Sequence, residues 1–240
     1  MPDELSEIMA AHDGLDYWRS LNIIEVEMSA SGFLFTSKWV PPLKHIRLTI
    51  STTKPELTIH DYPAPGQVAK FHGEDLVEIQ DASGQVLQTS NNPRAMFRRW
   101  RRLFYWDALD FAYFCGYAMW NYMTMPFLFL STGVEVEGPS NTAPGGLKKL
   151  TVRFPPGFPT HCEQQDFYFD DNWHLRRHDY TAEVVGSWAN AAHFCAAYRQ
   201  FSGLSLPTQR RVYPKLLFNK PFKRLSLVAI DIHDVIPHKS

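Results

Sequence analysis

Residues 160–214, THCEQQDFYFDDNWHLRRHDYTAEVVGSWANAAHFCAAYRQFSGLSLPTQRRVYP, read as consecutive β-strands, with Asp171-Asn172 as an obvious turn. The same stretch gathers His161, His174, His178, His193, Arg176, Arg177, Asp179 and Tyr180 among aromatic rings. Strands that mix apolar and ionisable side chains this densely put one face on a core and the other on water or a ligand. The pattern argues for a binding cavity within a sheet.

The strand rhythm continues outward. Residues 22–30 and 33–40 predict a hairpin turned at Ser31-Gly32, closed by Pro41-Pro42. Short strands are expected at 45–53, 56–63, 67–73, 75–80 and 85–90, and again at 147–155, 224–235 and through the opening stretch. Residues 137–146, EGPSNTAPGG, predict an exposed loop. The chain is thus expected to be one domain of 240 residues, α+β and mainly antiparallel. Its expected parts are an N-terminal helix over 1–20, a first sheet segment over 21–91, a helical insertion over 94–130 and a second sheet segment over 147–236.

A resemblance follows from these residues. The run Tyr198-Arg199-Gln200-Phe201-Ser202-Gly203-Leu204-Ser205-Leu206-Pro207-Thr208 resembles the final strands of bacterial lipoprotein carriers of the LolA/LolB type. FYFDDNWHLRRHDY before it, and Ala11-His12-Asp13-Gly14-Leu15 with Trp18, look like other parts of that half-barrel family, to which the violacein-pathway enzyme VioE is similar in fold. The resemblance implies a curved antiparallel half-barrel around central helices with a hydrophobic cavity. It carries over no catalytic residue.

Composition narrows the function classes. Aromatic residues make up 14% of the chain, with 17 Phe, 10 Tyr and 7 Trp, either as core filling or as the lining of a cavity for a flat or greasy ligand. A net charge of −1 supplies no global field for nucleic acid. Cys115, Cys162 and Cys195 form no disulfide framework, and Asp3, Glu4 and Glu7 stand where a secretory signal would be basic, so a cytoplasmic address is expected. Residues 111–130 are uncharged and follow Arg98, Arg99, Arg101 and Arg102, but Asn121, Thr124 and Pro126 interrupt them. A helix filling a curved sheet is expected there rather than a membrane span, with the arginines on a solvated face.

Spacing argues against several chemistries. Same-face strand residues four apart, such as His174 and His178, lie about 13 Å from each other, whereas ligands of one zinc converge within roughly 4 Å. His161 and Cys162, adjacent on a strand, would point to opposite faces, and His193 and Cys195 would stand about 6.6 Å apart along one, too far for a nucleophilic pair. No Gly-rich phosphate loop or nucleophile elbow is present. No metal and no cofactor are therefore expected.

There remains HLRRHDYTAEVV, where strict alternation puts His174, Arg176, His178 and Tyr180 on one side. His178 is the expected acid–base group, kept neutral by burial beside arginine, with Tyr180 and Arg176 steadying an anionic intermediate. An ordinary salt-linked sheet face is the alternative. The expected substrate contacts are His161, His193, Trp120 and Tyr117, with Arg211 and Tyr213 from a neighbouring strand that also carries Arg210. Two functions fit: a cofactor-independent enzyme that rearranges, cyclises or isomerises a hydrophobic, possibly aromatic metabolite, or a non-catalytic carrier for a lipid-like ligand.

Overall fold

The computed structural model describes residues 3–140, 144–216 and 220–239. Its strands are β1 (Leu21–Ser31), β2 (Leu43–Ser51), β3 (Glu56–His60), β4 (Val68–His72), β5 (Leu76–Gln80) and β6 (Val86–Asn91), then β7 (Glu135–Ser140), β8 (Lys148–Arg153), β9 (Gln164–Phe169), β10 (Leu175–Thr181), β11 (Asn190–Phe201), β12 (Leu204–Pro214) and β13 (Val228–Lys239). They form one antiparallel sheet in the order β6-β5-β4-β3-β2-β1-β13-β12-β11-β10-β9-β8-β7. The first and last strands pair in its middle, and β6 and β7 are its open edges. The helices are α1 (Asp3–Ala11), α2 (Leu15–Arg19), α3 (Phe33–Ser37), α4 (Pro93–Met96) and α5 (Ala108–Thr124).

Helix α5 fills the hollow of the curved sheet. It starts at a capping box, in which Asp110 N–H donates to Asp107 Oδ1 (2.9 Å) and Asp107 N–H to Asp110 Oδ2 (3.1 Å). From Asp110 to Thr124 every residue is buried, as an all-round apolar helix must be if it is to sit inside a protein. Gly116 lets it approach β4, because a Cβ there would overlap the Phe71 ring. Among the described residues no helix is long and apolar enough to cross a membrane.

Four local expectations are corrected. Residues 33–37 form α3, not the second strand of a hairpin: Phe33-Leu34-Phe35 does not alternate, and Gly32 (φ 138°) takes the backbone against Leu227, where a side chain would collide. The N-terminal helix breaks into α1 and α2 at Asp13 and Gly14, both with positive φ. Part of the expected 137–146 loop is edge strand β7, so the second sheet segment starts before residue 147; residues 141–143 of that loop, and 217–218 at the end of a strand expected over 207–218, lie outside the described residues. Finally, Arg102 is buried rather than solvated, donating from Nε to Asp110 Oδ1 at 2.8 Å.

Candidate functional site: a buried histidine–tyrosine cluster beside an apolar cavity

Register decides which side chains meet on the concave face. His178 of β10 stands opposite Phe167 of β9 and His193 of β11, and Tyr180 opposite Ala191. Cys195 of β11 stands opposite Arg210 of β12. From α5 come Tyr117, Asn121 and Tyr122. His161 arrives on an irregular segment before β9 rather than on a strand, anchored by Arg94, whose guanidinium donates to Thr160 O (2.8 Å), His161 O (3.2 Å) and Glu183 Oε2 (2.8 Å).

The polar groups form a chain. Tyr180 Oη lies 3.0 Å from Tyr122 Oη, which lies 2.8 Å from His161 Nε2; His161 Nδ1 lies 3.2 Å from Tyr117 Oη. These links are satisfied whichever way the protons point, because hydroxyls and neutral imidazole both donate and accept. The His161 ring also stacks on Tyr180, centroids 3.8 Å apart. His178 Nε2 is 2.6 Å from Gln165 Oε1, and the Gln165 amide nitrogen is committed to Thr160 Oγ1 and Cys162 O, both at 2.7 Å. Nε2 of His178 therefore carries the proton and Nδ1 is a bare acceptor with no partner among the described residues. His193, against the Tyr122 ring at 4.5 Å, has no partner among them on either nitrogen.

Burial sets the protonation states. It holds His161, His178 and His193 well below the usual imidazole range, with neighbouring Arg94 adding to the effect at His161 and Arg210 at the other two. It raises the phenols of Tyr117, Tyr122 and Tyr180 and pushes the Cys115 thiol up to about 12. The cluster is thus neutral apart from Arg210. Its guanidinium, 2% exposed, donates to Tyr122 O (2.8 Å) and Cys195 Sγ (3.4 Å) and lies 5.1 Å from the Tyr122 ring centroid, while Nε has no partner among the described residues. Among the described residues no carboxylate pairs with it.

Tyr122 and Tyr180 also line a small cavity of about 30 Å3 whose other walls are apolar, including Met28, Phe35, Phe111 and Met119. A second hollow, an open groove of about 390 Å3 at Trp18, Trp120, Phe127 and Phe158, lies elsewhere. Its buried polar groups are satisfied: Trp120 Nε1–H donates to Ser51 O (3.1 Å), Thr124 Oγ1 to Trp120 O (2.6 Å) and Thr52 Oγ1 to Leu21 O (2.7 Å).

The expected site residues therefore divide. His178, Tyr180, His161, His193 and Tyr117 come together, while Trp120 faces the groove. Arg176 does not join them. A bulge between Leu175 and Arg177 breaks the alternation, and Arg176 instead pairs with Asp170 (2.6 Å) beside Tyr198. Arg211 and Tyr213 lie on the opposite face from Arg210, Arg211 bonded to Asp231 (2.6 Å) and Tyr213 against Phe194. Arg210 takes the place expected for them, and only the unknown phase of the strand hid it. Tyr122 was hidden too, since on a helix buried all round nothing in the pattern marks the face that meets the histidines. His161 makes no contact with the Cys162 thiol, which donates to Gln164 O at 3.1 Å. Among the described residues no three His, Cys, Asp or Glu side chains are grouped to hold a metal ion.

No family model matches the chain, and no curated protein matches it in sequence. Among solved structures it is similar to a LolA superfamily protein from Nitrosomonas europaea (TM-score 0.51, 10% identity, 97% of this chain and 93% of that one). It is similar also to a DUF1329 family protein from Desulfovibrio piger (TM-score 0.51, 14% identity, 98% of this chain and 93% of that one). The fold is LolA-like: an open, curved antiparallel sheet around a central helix.

Proposed function

We propose that this LolA-like half-barrel binds a hydrophobic small molecule with one acidic end, its apolar part between α5 and strands β1 and β13 and its acid directed toward Tyr122, His193 and Arg210. The observation that carries the reading is the buried guanidinium of Arg210, which has no carboxylate partner among the described residues and reaches the apolar cavity only through Tyr122, to whose carbonyl it donates; Arg210 itself lines a smaller hollow with His12, Met125, Phe129 and Tyr198. A buried charge without a counter-ion costs several kcal/mol, and a ligand carboxylate offsets that cost. Unsatisfied buried donors also reject a ligand that cannot hydrogen-bond to them. The groove at Trp120 has room for a ligand but no unmet polar group to orient one.

The cavity as it stands holds about 30 Å3, space for roughly one water. Ligand entry in this reading requires the cover formed by α3 to move away from Phe111, against which Phe35 packs at 5.3 Å. A cytoplasmic location belongs to the same reading, since all three cysteines are free and buried.

The test compares dodecanoic acid with dodecanol by calorimetric titration of the intact protein. The acid should bind at least about tenfold tighter, a margin of roughly 1.4 kcal/mol, and Arg210→Met should abolish the preference. Equal affinity for both, or an unchanged preference in the variant, overturns the assignment. A second reading, cofactor-independent acid–base chemistry on the same ligand, is favoured by one observation: neutral His193 and the Tyr180–Tyr122 hydroxyl pair flank the place where the ligand's polar end would lie. Incubating the protein with a co-purified ligand and following its mass and isomer composition separates turnover from simple carriage.

A further inference from the structure

The inner wall of the cavity continues to the surface through aromatic packing. Phe114 lines the cavity, Trp106 packs on Phe114 (5.0 Å between centroids) and Phe97 packs on Trp106 (5.4 Å). Outside this wall two segments are tied together, since Trp106 N–H donates to Lys38 O at 3.1 Å and the Lys38 ammonium donates to Leu103 O. The side chains they present are not the polar ones a solvated surface would carry. Trp39 is 79% exposed, Trp100 77% and Phe104 64%, with Leu103 and Tyr105 also exposed. Trp100 and Leu103 begin and end one 3-10 turn, three residues apart, which puts them on one side of it. Isolated exposed apolar residues need no explanation, but several large exposed rings on two segments tied to each other do.

Among the described residues the charges beside the rings that make no ion pair are positive, since Asp107 is held by Arg101 at 2.7 Å. Arg98 and Arg99 are exposed and make no ion pair among the described residues. No Asp or Glu occurs between residues 91 and 106 or between 28 and 55, although the chain as a whole has a net charge of −1. Trp and Tyr favour the membrane–water boundary, where the ring meets acyl chains and its polar edge meets water, and arginine binds anionic lipid phosphates there. Self-association through this surface would set arginine against arginine, an arrangement that like-charge repulsion opposes.

We infer that Trp39, Trp100, Phe104 and Tyr105, with Arg98 and Arg99, form a surface that docks the protein on an anionic phospholipid bilayer. The occupant is the headgroup and upper acyl region of the bilayer, entered by the rings and neutralised by the arginines. The site stands apart from the cavity. Docking is measured without any ligand, so it can fail while ligand binding holds, and the reverse.

The experiment is flotation of the intact protein with vesicles of phosphatidylcholine alone and of phosphatidylcholine mixed with phosphatidylglycerol. The protein should float with the mixed vesicles and much less with the neutral ones, and added salt should weaken the association as it screens the arginines. Arg98→Ser with Arg99→Ser should weaken binding about thirtyfold, at roughly five- to sixfold per charge removed from the surface. Trp39→Ser, Trp100→Ser and Phe104→Ser together should release the protein even at low salt. Substitution at exposed positions costs little stability, and the thermal midpoint of each variant confirms that it folds. Wild-type protein that stays with neither vesicle, or variants that float as well as it does, overturn the inference. So does lipid-free, concentration-dependent self-association that the triple aromatic variant abolishes, because the surface is then an interface between copies of this chain.

Discussion

The two halves of the sheet enclose the same helix with different chemistry. In β1 to β5 the concave face is apolar: Ile24, Val26, Leu48, Ile50, Leu57, Ile59, Phe71, Val77 and Ile79 are all buried. In β9 to β12 the equivalent positions carry Gln165, His178, Tyr180, His193 and Arg210, equally buried. The first half shows what the fold needs, which is apolar area against α5. The second half departs from that need at a cost, since buried polar groups without partners destabilise a core. A departure confined to one half, beside a cavity, marks function rather than architecture.

The largest effect expected from this contrast is a truncation in the apolar half. Phe71, 1% exposed and seated where Gly116 leaves room, should cost about 3–5 kcal/mol when replaced by alanine, measured by denaturant unfolding. A loss below about 1 kcal/mol would mean that the helix does not depend on this contact.

The polar half should make stability depend on pH. Burial holds His12, His161, His178 and His193 below the value of about 6.5 that they take in an unfolded chain. Between the two values the unfolded chain binds more protons than the folded one. Stability is therefore fully present above about pH 6.5 and falls as the pH drops below it. Each histidine contributes at most about 1.4 kcal/mol per pH unit, and the share of His12 ends near its folded value of about 4. Unfolding free energy that stays flat from pH 7 to 5 would break the comparison. A reduced slope in His193→Leu would sharpen it.

The same substitution tests the cost directly. His193 has no hydrogen-bond partner among the described residues, so exchanging it for leucine removes an unmet group and fills similar space. Stability at pH 8 should stay within about 1 kcal/mol of wild type or rise, while affinity for dodecanoic acid falls. Strong destabilisation with binding retained would show the histidine to be structural.

How much of this was legible in sequence follows the same division. Strands announce themselves by period-two apolar patterning, so the sheet, the buried central helix and the half-barrel resemblance could be read directly. The polar half betrays its residue types, and among the residues they point to the structure brings His161, His178, Tyr180, His193 and Tyr117 together. Its phase was another matter. The extra residue at the Leu175–Arg177 bulge leaves no signature in the alternation, so Arg176 was set on the wrong side. On β12, adjacent arginines are symmetrical in sequence, and only pairing with β11 and β13 shows that Arg210, opposite Cys195 and Ile230, faces inward.

That error supplies the smallest and most discriminating prediction. Arg176 and Arg210 are both arginines of one half of the sheet, on β10 and β12 with β11 between them, yet Arg176 is 39% exposed in its side chain and paired with Asp170, whereas Arg210 is buried and has no carboxylate partner among the described residues. A partly exposed ion pair contributes about 0–1 kcal/mol, because water already solvates both charges and salt screens them. Arg176→Ala should therefore lower stability by no more than that and leave dodecanoic acid affinity unchanged. Arg210→Met should do the opposite, sparing stability and losing the acid preference. If Arg176→Ala weakens acid binding as much as Arg210→Met does, the bulge does not separate the two arginines functionally, and the acidic end of the ligand lies nearer the Tyr198 end of the sheet than Tyr122.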